Sequence, residues 1–164
     1  MKKRDFIILL LIILIDQIVK LFVVNINFDV IPGFLSFTYS ENIGVAFSFG
    51  KTAPTLMGLI HIALILGITI FMIKYNKRII RKLPFIMMLA GGLGNLIDRI
   101  FRGYVIDFIN LKLFNFPVFN IADIFVVLGC IILIIDVIKY KDILKDKNEK
   151  NEDENNSNEI VDKK

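Results

Sequence analysis

Asp107 and Asp123 are sixteen residues apart, a separation that lets the intervening chain fold back and set one carboxyl against the other. Two adjacent carboxyl groups do not both ionise easily, so near neutral pH they share one proton. One can then act as base on a water while the other acts as acid towards a carbonyl, which is the chemistry of peptide hydrolysis without a metal. Spacing alone leaves a second reading open, in which Asp123 caps a helix start and Asp107 is a solvated loop charge. Asp16 and Lys20 stand one helical turn apart in the order that favours an intrahelical ion pair. Asn95, Asp98 and Arg99 share a helical face by their three- and four-residue spacing, suited to tying a helix end to its loops. His61 has no Cys, Asp or Glu at ligand spacing and Cys130 is the single cysteine, so neither a metal site nor a disulfide framework is expected.

The elements that must position these groups are membrane elements. The chain has 164 residues, 55% of them hydrophobic, with a mean hydropathy of +0.67, far above an ordinary soluble domain. Its charges gather at the start, in Lys74 to Lys82, and after Lys139. Four long apolar segments between them, Phe6 to Val24, Thr55 to Ile73, Leu83 to Arg99 and Val118 to Ile138, approach the roughly 20 residues that a helix needs to cross the hydrocarbon. Pro54, Pro84 and Pro117 stand at or just before span starts, where a missing N–H costs least. The net charge of +4 flanks these spans and forms no basic patch with interleaved aromatics, which excludes nucleic acid as a partner. The basic start followed by an apolar run resembles a signal peptide, but no small-residue cleavage site follows, so it reads as a retained first span.

Lys2, Lys3 and Arg4, then Lys74, Lys77, Arg78, Arg81 and Lys82, then Lys139, Lys141 and Lys145 mark the cytoplasmic side by the positive-inside rule. Both termini are therefore expected in the cytoplasm. Asp16, Lys20, Asp98, Arg99, Asp107 and Asp123 all fall near the opposite, outer surface. Polar groups at membrane depth are expensive unless paired or wetted, so each is a functional candidate. A transporter or channel would hold such groups nearer the midplane. A non-catalytic scaffold is disfavoured by the presence of both Asp107 and Asp123. Leu35, Phe37 and Tyr39 alternate with polar residues, as do Val45, Phe47 and Phe49 with small ones, so short strands are expected on either side of a turn at Glu41–Gly44. Ala90-Gly-Gly-Leu-Gly94 suits close helix packing, and Asp136 reads as an interfacial charge beside Lys139. The fold expected is an all-α integral membrane protein, four transmembrane helices with a small extracytoplasmic β-sheet, spanning residues 1–140. Residues 141–164 are expected to form a charged, disordered cytoplasmic tail.

Five ordered segments carry a family likeness: Asp16-Gln-Ile-Val-Lys20, Asn42-Ile-Gly-Val-Ala-Phe47, Gly91-Gly-Leu-Gly-Asn-Leu-Ile-Asp-Arg99, Gly103-Tyr-Val-Ile-Asp-Phe108 and Phe116-Pro-Val-Phe-Asn-Ile-Ala-Asp123. Through them the chain resembles the bacterial lipoprotein signal peptidases, the type II signal peptidases. It departs at Val45, where the family usually has a small residue, and in a longer charged tail. The resemblance implies an aspartic endopeptidase of the cytoplasmic (inner) membrane that cuts diacylglyceryl-modified prolipoproteins just before the lipidated cysteine. It implies Asp107 and Asp123 as the catalytic dyad, with Asp16, Lys20, Asn42, Asn95, Asp98, Arg99 and Asn120 around it to hold substrate or structure. It also implies a β-cradle on the outer surface, no cofactor, membrane lipid as a partner, inhibition by globomycin and a monomeric enzyme.

Overall fold

The computed structural model describes residues 2–44, 53–74, 82–112 and 116–139. Helix α1 covers Lys3–Phe22, its first turn held by Asp5, whose carboxylate accepts the Lys2 backbone N–H at 3.0 Å. It ends just before Asn25, whose φ of 64° turns the chain into a sheet; short polar Asn tolerates that left-handed conformation better than most residues. Strands β1 (Asn27–Ile31) and β2 (Leu35–Asn42) form an antiparallel hairpin. Ile31-Pro-Gly-Phe34 closes it, with Pro32 second, Gly33 third at φ 75° and Phe34 N–H donating to the Ile31 carbonyl at 3.0 Å. That is the residue order a type II turn requires.

Helices α2 (Ala53–Lys74) and α3 (Leu83–Phe101) follow, then strand β3 (Val105–Leu111) and helix α4 (Ile121–Lys139). The three strands form one antiparallel sheet in the order β1-β2-β3, and Phe119 adds an isolated bridge to Ile109. Helix α3 is the centre of the helical part: it packs against both α1 and α2, and its glycines admit α4. A Cβ on Gly91 would lie 2.3 Å from the Ala122 carbonyl oxygen, and one on Gly94 would lie 2.8 Å from Asp16 Oδ2. Small residues there let backbones and polar groups approach closely. One apolar cluster joins Leu9 and Ile12 of α1 to Ile86, Met87, Leu89 and Ala90 of α3. A second, of Val23, Ile106 and Phe108, seals the sheet against the end of α1.

Among the described residues, α3 and α4 are long and apolar enough to cross a membrane. Phe6, Leu10, Leu14 and Leu21 of α1 and Val127, Ile131, Ile134 and Ile138 of α4 lie with large apolar side chains exposed, more contiguous apolar surface than a water-soluble monomer shows. Several boundaries and assignments differ from expectation. α1 starts at Lys3 and stops at Phe22; α4 starts at Ile121, three residues after Val118, because Asn120 caps it. The segment that follows α3 holds a strand, and β2 runs on through Glu41 and Asn42 to pair with it. Its partners are thus β1 and β3. The strand expected at Val45–Phe49, the basic residues 75–81 and the tail 141–164 lie outside the described residues. Asp136 is buried, 8% exposed.

Candidate active site

Asp107 sits on β3 and Asp123 in the first turn of α4, and Asn120 holds them together. Its side-chain N–H donates to Asp107 Oδ1 at 2.7 Å, while its backbone N–H donates to Asp123 Oδ2 at 3.1 Å. The Asp123 N–H returns a bond to Asn120 Oδ1 at 3.0 Å, so Asn120 and Asp123 form a reciprocal N-terminal cap. The capping reading of Asp123 is thus true, and it leaves Oδ1 free to accept Asn95 Nδ2 at 2.7 Å. Asp107 is 2% exposed, which corrects the picture of a solvated loop charge. Asn42, across the β2–β3 ladder, donates to Asp107 Oδ2 at 2.8 Å. Burial, with the nearby Asp123 charge adding to it, pushes the Asp107 carboxyl up to about 6 against the bonds from Asn42 and Asn120 and the charge of Lys20.

Behind the two carboxyl groups lies a buried charge cluster. Lys20 and Asp16 on α1 are paired at 2.8 Å, and Lys20 also meets Asp98 of α3 at 2.8 Å. Lys20 is 0% exposed, and its third contact is Asn95 Oδ1 at 3.0 Å. Asp16 Oδ1 accepts the Ala122 N–H at 3.0 Å, satisfying one of the orphan donors at the start of α4. Asp98 Oδ2 accepts the Ile106 N–H at 3.3 Å, pinning the strand one residue before Asp107. The expected ion pair and the expected tie between helix end and loop are both present.

Arg99 stands at the rim. Its Nη1 donates to the Asn42 carbonyl at 3.4 Å, it lies within electrostatic reach of Asp107, Asp123 and Asp98, and its Nε is buried with no acceptor among the described residues. All nine residues singled out from the sequence therefore converge on one locality. Sequence reading passed over two others: Gln17 donates to Asp16, Asp98 and the Gly94 carbonyl, and Arg102 pairs with Asp98 and donates to Gln17. The four-residue spacing of Asp98 and Arg102 was the available signal. Beside Asp123 an apolar cavity of about 280 Å³ is lined by Leu111, Phe116, Phe119, Ile124, Val127 and Leu128.

Exposed apolar helices joined to a buried cluster of paired carboxyl groups define a membrane enzyme. Consistently, a solved chain described as a bacterial membrane enzyme superposes with a TM-score of 0.75 at 31% identity, covering 83% of this chain and 93% of that one. Residues 8–139 match the family model for signal peptidase (SPase) II, Peptidase_A8, and the chain belongs to that family of peptidases. Relatives named lipoprotein signal peptidase include one from Streptococcus pneumoniae, 37% identical over 85% of this chain and 96% of its own length. Another, from Gloeothece citriformis, is 40% identical over 74% of this chain and 80% of its own.

Proposed function

We propose that Asp107 and Asp123 are the catalytic dyad with which this peptidase removes signal peptides from diacylglyceryl-modified prolipoproteins, cutting just before the lipidated cysteine. The observation that carries the reading is the pair of carboxyl groups bridged by Asn120 at the end of an apolar cavity. Asp107, raised to about 6 by burial, holds the shared proton, and Asp123 is the base. Asp123 takes a proton from water as the water oxygen bonds to the scissile carbonyl carbon, and Asp107 gives its proton to the carbonyl oxygen. Collapse of the tetrahedral intermediate breaks the C–N bond, with the proton on Asp123 passing to the leaving amine and a hydroxyl proton returning to Asp107. Asn42 and Arg99 stand where they can hold substrate backbone; Asp16, Lys20, Asn95, Asp98 and Asn120 hold the frame.

The enzyme crosses the cytoplasmic membrane four times as a monomer, with both termini in the cytoplasm, the dyad at the outer leaflet and membrane lipid around α1 and α4. Globomycin inhibits it. A lipidated substrate stays in the bilayer, where acyl chains contribute about 0.8 kcal/mol per buried CH₂ and fix the cysteine at one depth. Depth then selects the bond, and cleavage becomes nearly intramolecular. The test compares one prolipoprotein with and without its diacylglyceryl group in the same detergent, recording rate and cut position. Preference for the lipidated form with one cut before the cysteine is expected. Equal rates would remove the depth account, and full turnover by a folded Asp123→Asn variant would remove the dyad.

A further inference from the structure

Each of the three Lys20 ammonium hydrogens has one acceptor: Asp16 Oδ2 at 2.8 Å, Asp98 Oδ2 at 2.8 Å and Asn95 Oδ1 at 3.0 Å. The donor count matches the acceptor count, and Lys20, Asp16 and Asp98 are all fully buried, so no hydrogen of Lys20 can turn to water. Asn95 passes the arrangement on. With its oxygen held by Lys20, its Nδ2 faces Asp123 Oδ1 at 2.7 Å. Turned through a half rotation, the Asn95 amide would set N–H groups against an ammonium and its oxygen against a carboxylate, two buried donor and acceptor mismatches at once.

Asn120 also donates to Asn95 Oδ1 at 3.0 Å, but its two amide hydrogens are divided among three acceptors, the others being the Ile106 carbonyl at 3.2 Å and Asp107 Oδ1 at 2.7 Å. Its second hydrogen has the Ile106 carbonyl as an alternative to Asn95, whereas Lys20 has no spare acceptor. We infer that Lys20 is a positioning residue for the reaction: its ammonium fixes the orientation of the Asn95 amide, so that Asn95 presents a hydrogen and never an oxygen to Asp123. The inference rests on the dyad reading above. The charged groups facing Asp123 are Asp107 from β3 and Arg99 from α3, with Lys20 and Asp16 from α1 and Asp98 from α3 behind Asn95.

A donated hydrogen favours the ionised carboxyl. Losing that bond therefore disfavours the form of Asp123 that the reaction uses as base. The test uses the charge-balanced variant Asp16→Asn/Lys20→Met, which leaves Asp98 its partner Arg102, together with Asn95→Leu, Asn95→Asp, and the charge-balanced changes combined with Asn95→Leu. The kcat–pH profile is measured on lipidated prolipoprotein, with thermal unfolding as the check on folding. The acid limb of the rate profile is expected to move up in every variant, read as a roughly tenfold to hundredfold loss of kcat at a fixed acidic pH, with KM little changed. The combined variant should be no slower than Asn95→Leu.

An unmoved acid limb in the folded charge-balanced variant, or losses that multiply in the combined one, overturns the inference. Should the charge-balanced variant fail to fold, Asn95→Asp decides: it keeps the acceptor for Lys20 but puts an oxygen on Asp123, and an unmoved limb there is equally fatal. Activity in a folded Asp123→Asn enzyme would instead defeat the dyad assignment, and the two failures are distinct.

Discussion

Replacing Asp107 with asparagine should remove turnover and make the protein more stable as the pH rises. The Asp107 carboxyl is raised from the usual 3.8 to about 6, first of all by burial. Because the folded-state value lies above the unfolded one, the folded protein holds this proton more tightly between about pH 4 and pH 6. The group's stabilising contribution is fully present below the unfolded value and is lost as pH rises through the folded value. A difference of about two units at 1.36 kcal/mol each is about 3 kcal/mol. Asparagine does not titrate, so Asp107→Asn escapes that loss. It incurs a pH-independent cost of about 1–2 kcal/mol, because its one amide oxygen cannot accept from both Asn42 and Asn120. The difference in stability between variant and parent should therefore swing by about 3 kcal/mol in the variant's favour between pH 3 and pH 8. At about 2–4 °C per kcal/mol for a chain of this size, the swing in Tm is about 6–12 °C. Thermal unfolding in detergent, followed by exposure of the single thiol Cys130, measures it. A difference that stays constant with pH, or moves the other way, would refute the claim that Asp107 is held protonated by its buried setting.

Gly91→Ala should destabilise by about 1–3 kcal/mol, since its Cβ would meet the Ala122 carbonyl oxygen at 2.3 Å; Gly67→Ala, with nothing within 4 Å, should not, and paired melting curves check this. Lys112→Ala removes the exposed pair with Asp29 at 2.5 Å, its side chains 37% and 43% exposed, and should cost under about 1 kcal/mol, falling further in high salt. Reporters fused after Lys145 and near Asn76 should sit in the cytoplasm and one near Lys51 outside; outside labelling of residues 74–82 would reverse the topology. Truncation after Lys145 should leave cleavage of prolipoprotein unchanged, as measured by initial rates.

Helix positions were legible in the sequence because an apolar stretch long enough for a membrane is a property of composition alone, and the ionisable residues of the site were legible because such groups are few within the apolar spans. Their alternative roles were not. Asp123 could be read as a cap or as a member of the dyad, and the structure shows the cap and leaves room for the other: one oxygen completes the cap with Asn120 while the other accepts from Asn95. Asp107 could be read as solvated because nothing local marks β3 as a strand; its partner β2 is some sixty-five residues earlier in the chain, and pairing at that distance leaves no periodic signature near Asp107. Gln17 was passed over for the same reason, since it matters only once α1 lies against α3, whereas Arg102 had a local signal in its spacing from Asp98. The sequence by itself determined which chemical groups are present and the side of the chain's apolar spans on which they gather. Only tertiary packing decided which oxygen meets which hydrogen, because hydrogen bonds act over about 3 Å and contacts of that range between distant segments exist only in the folded chain.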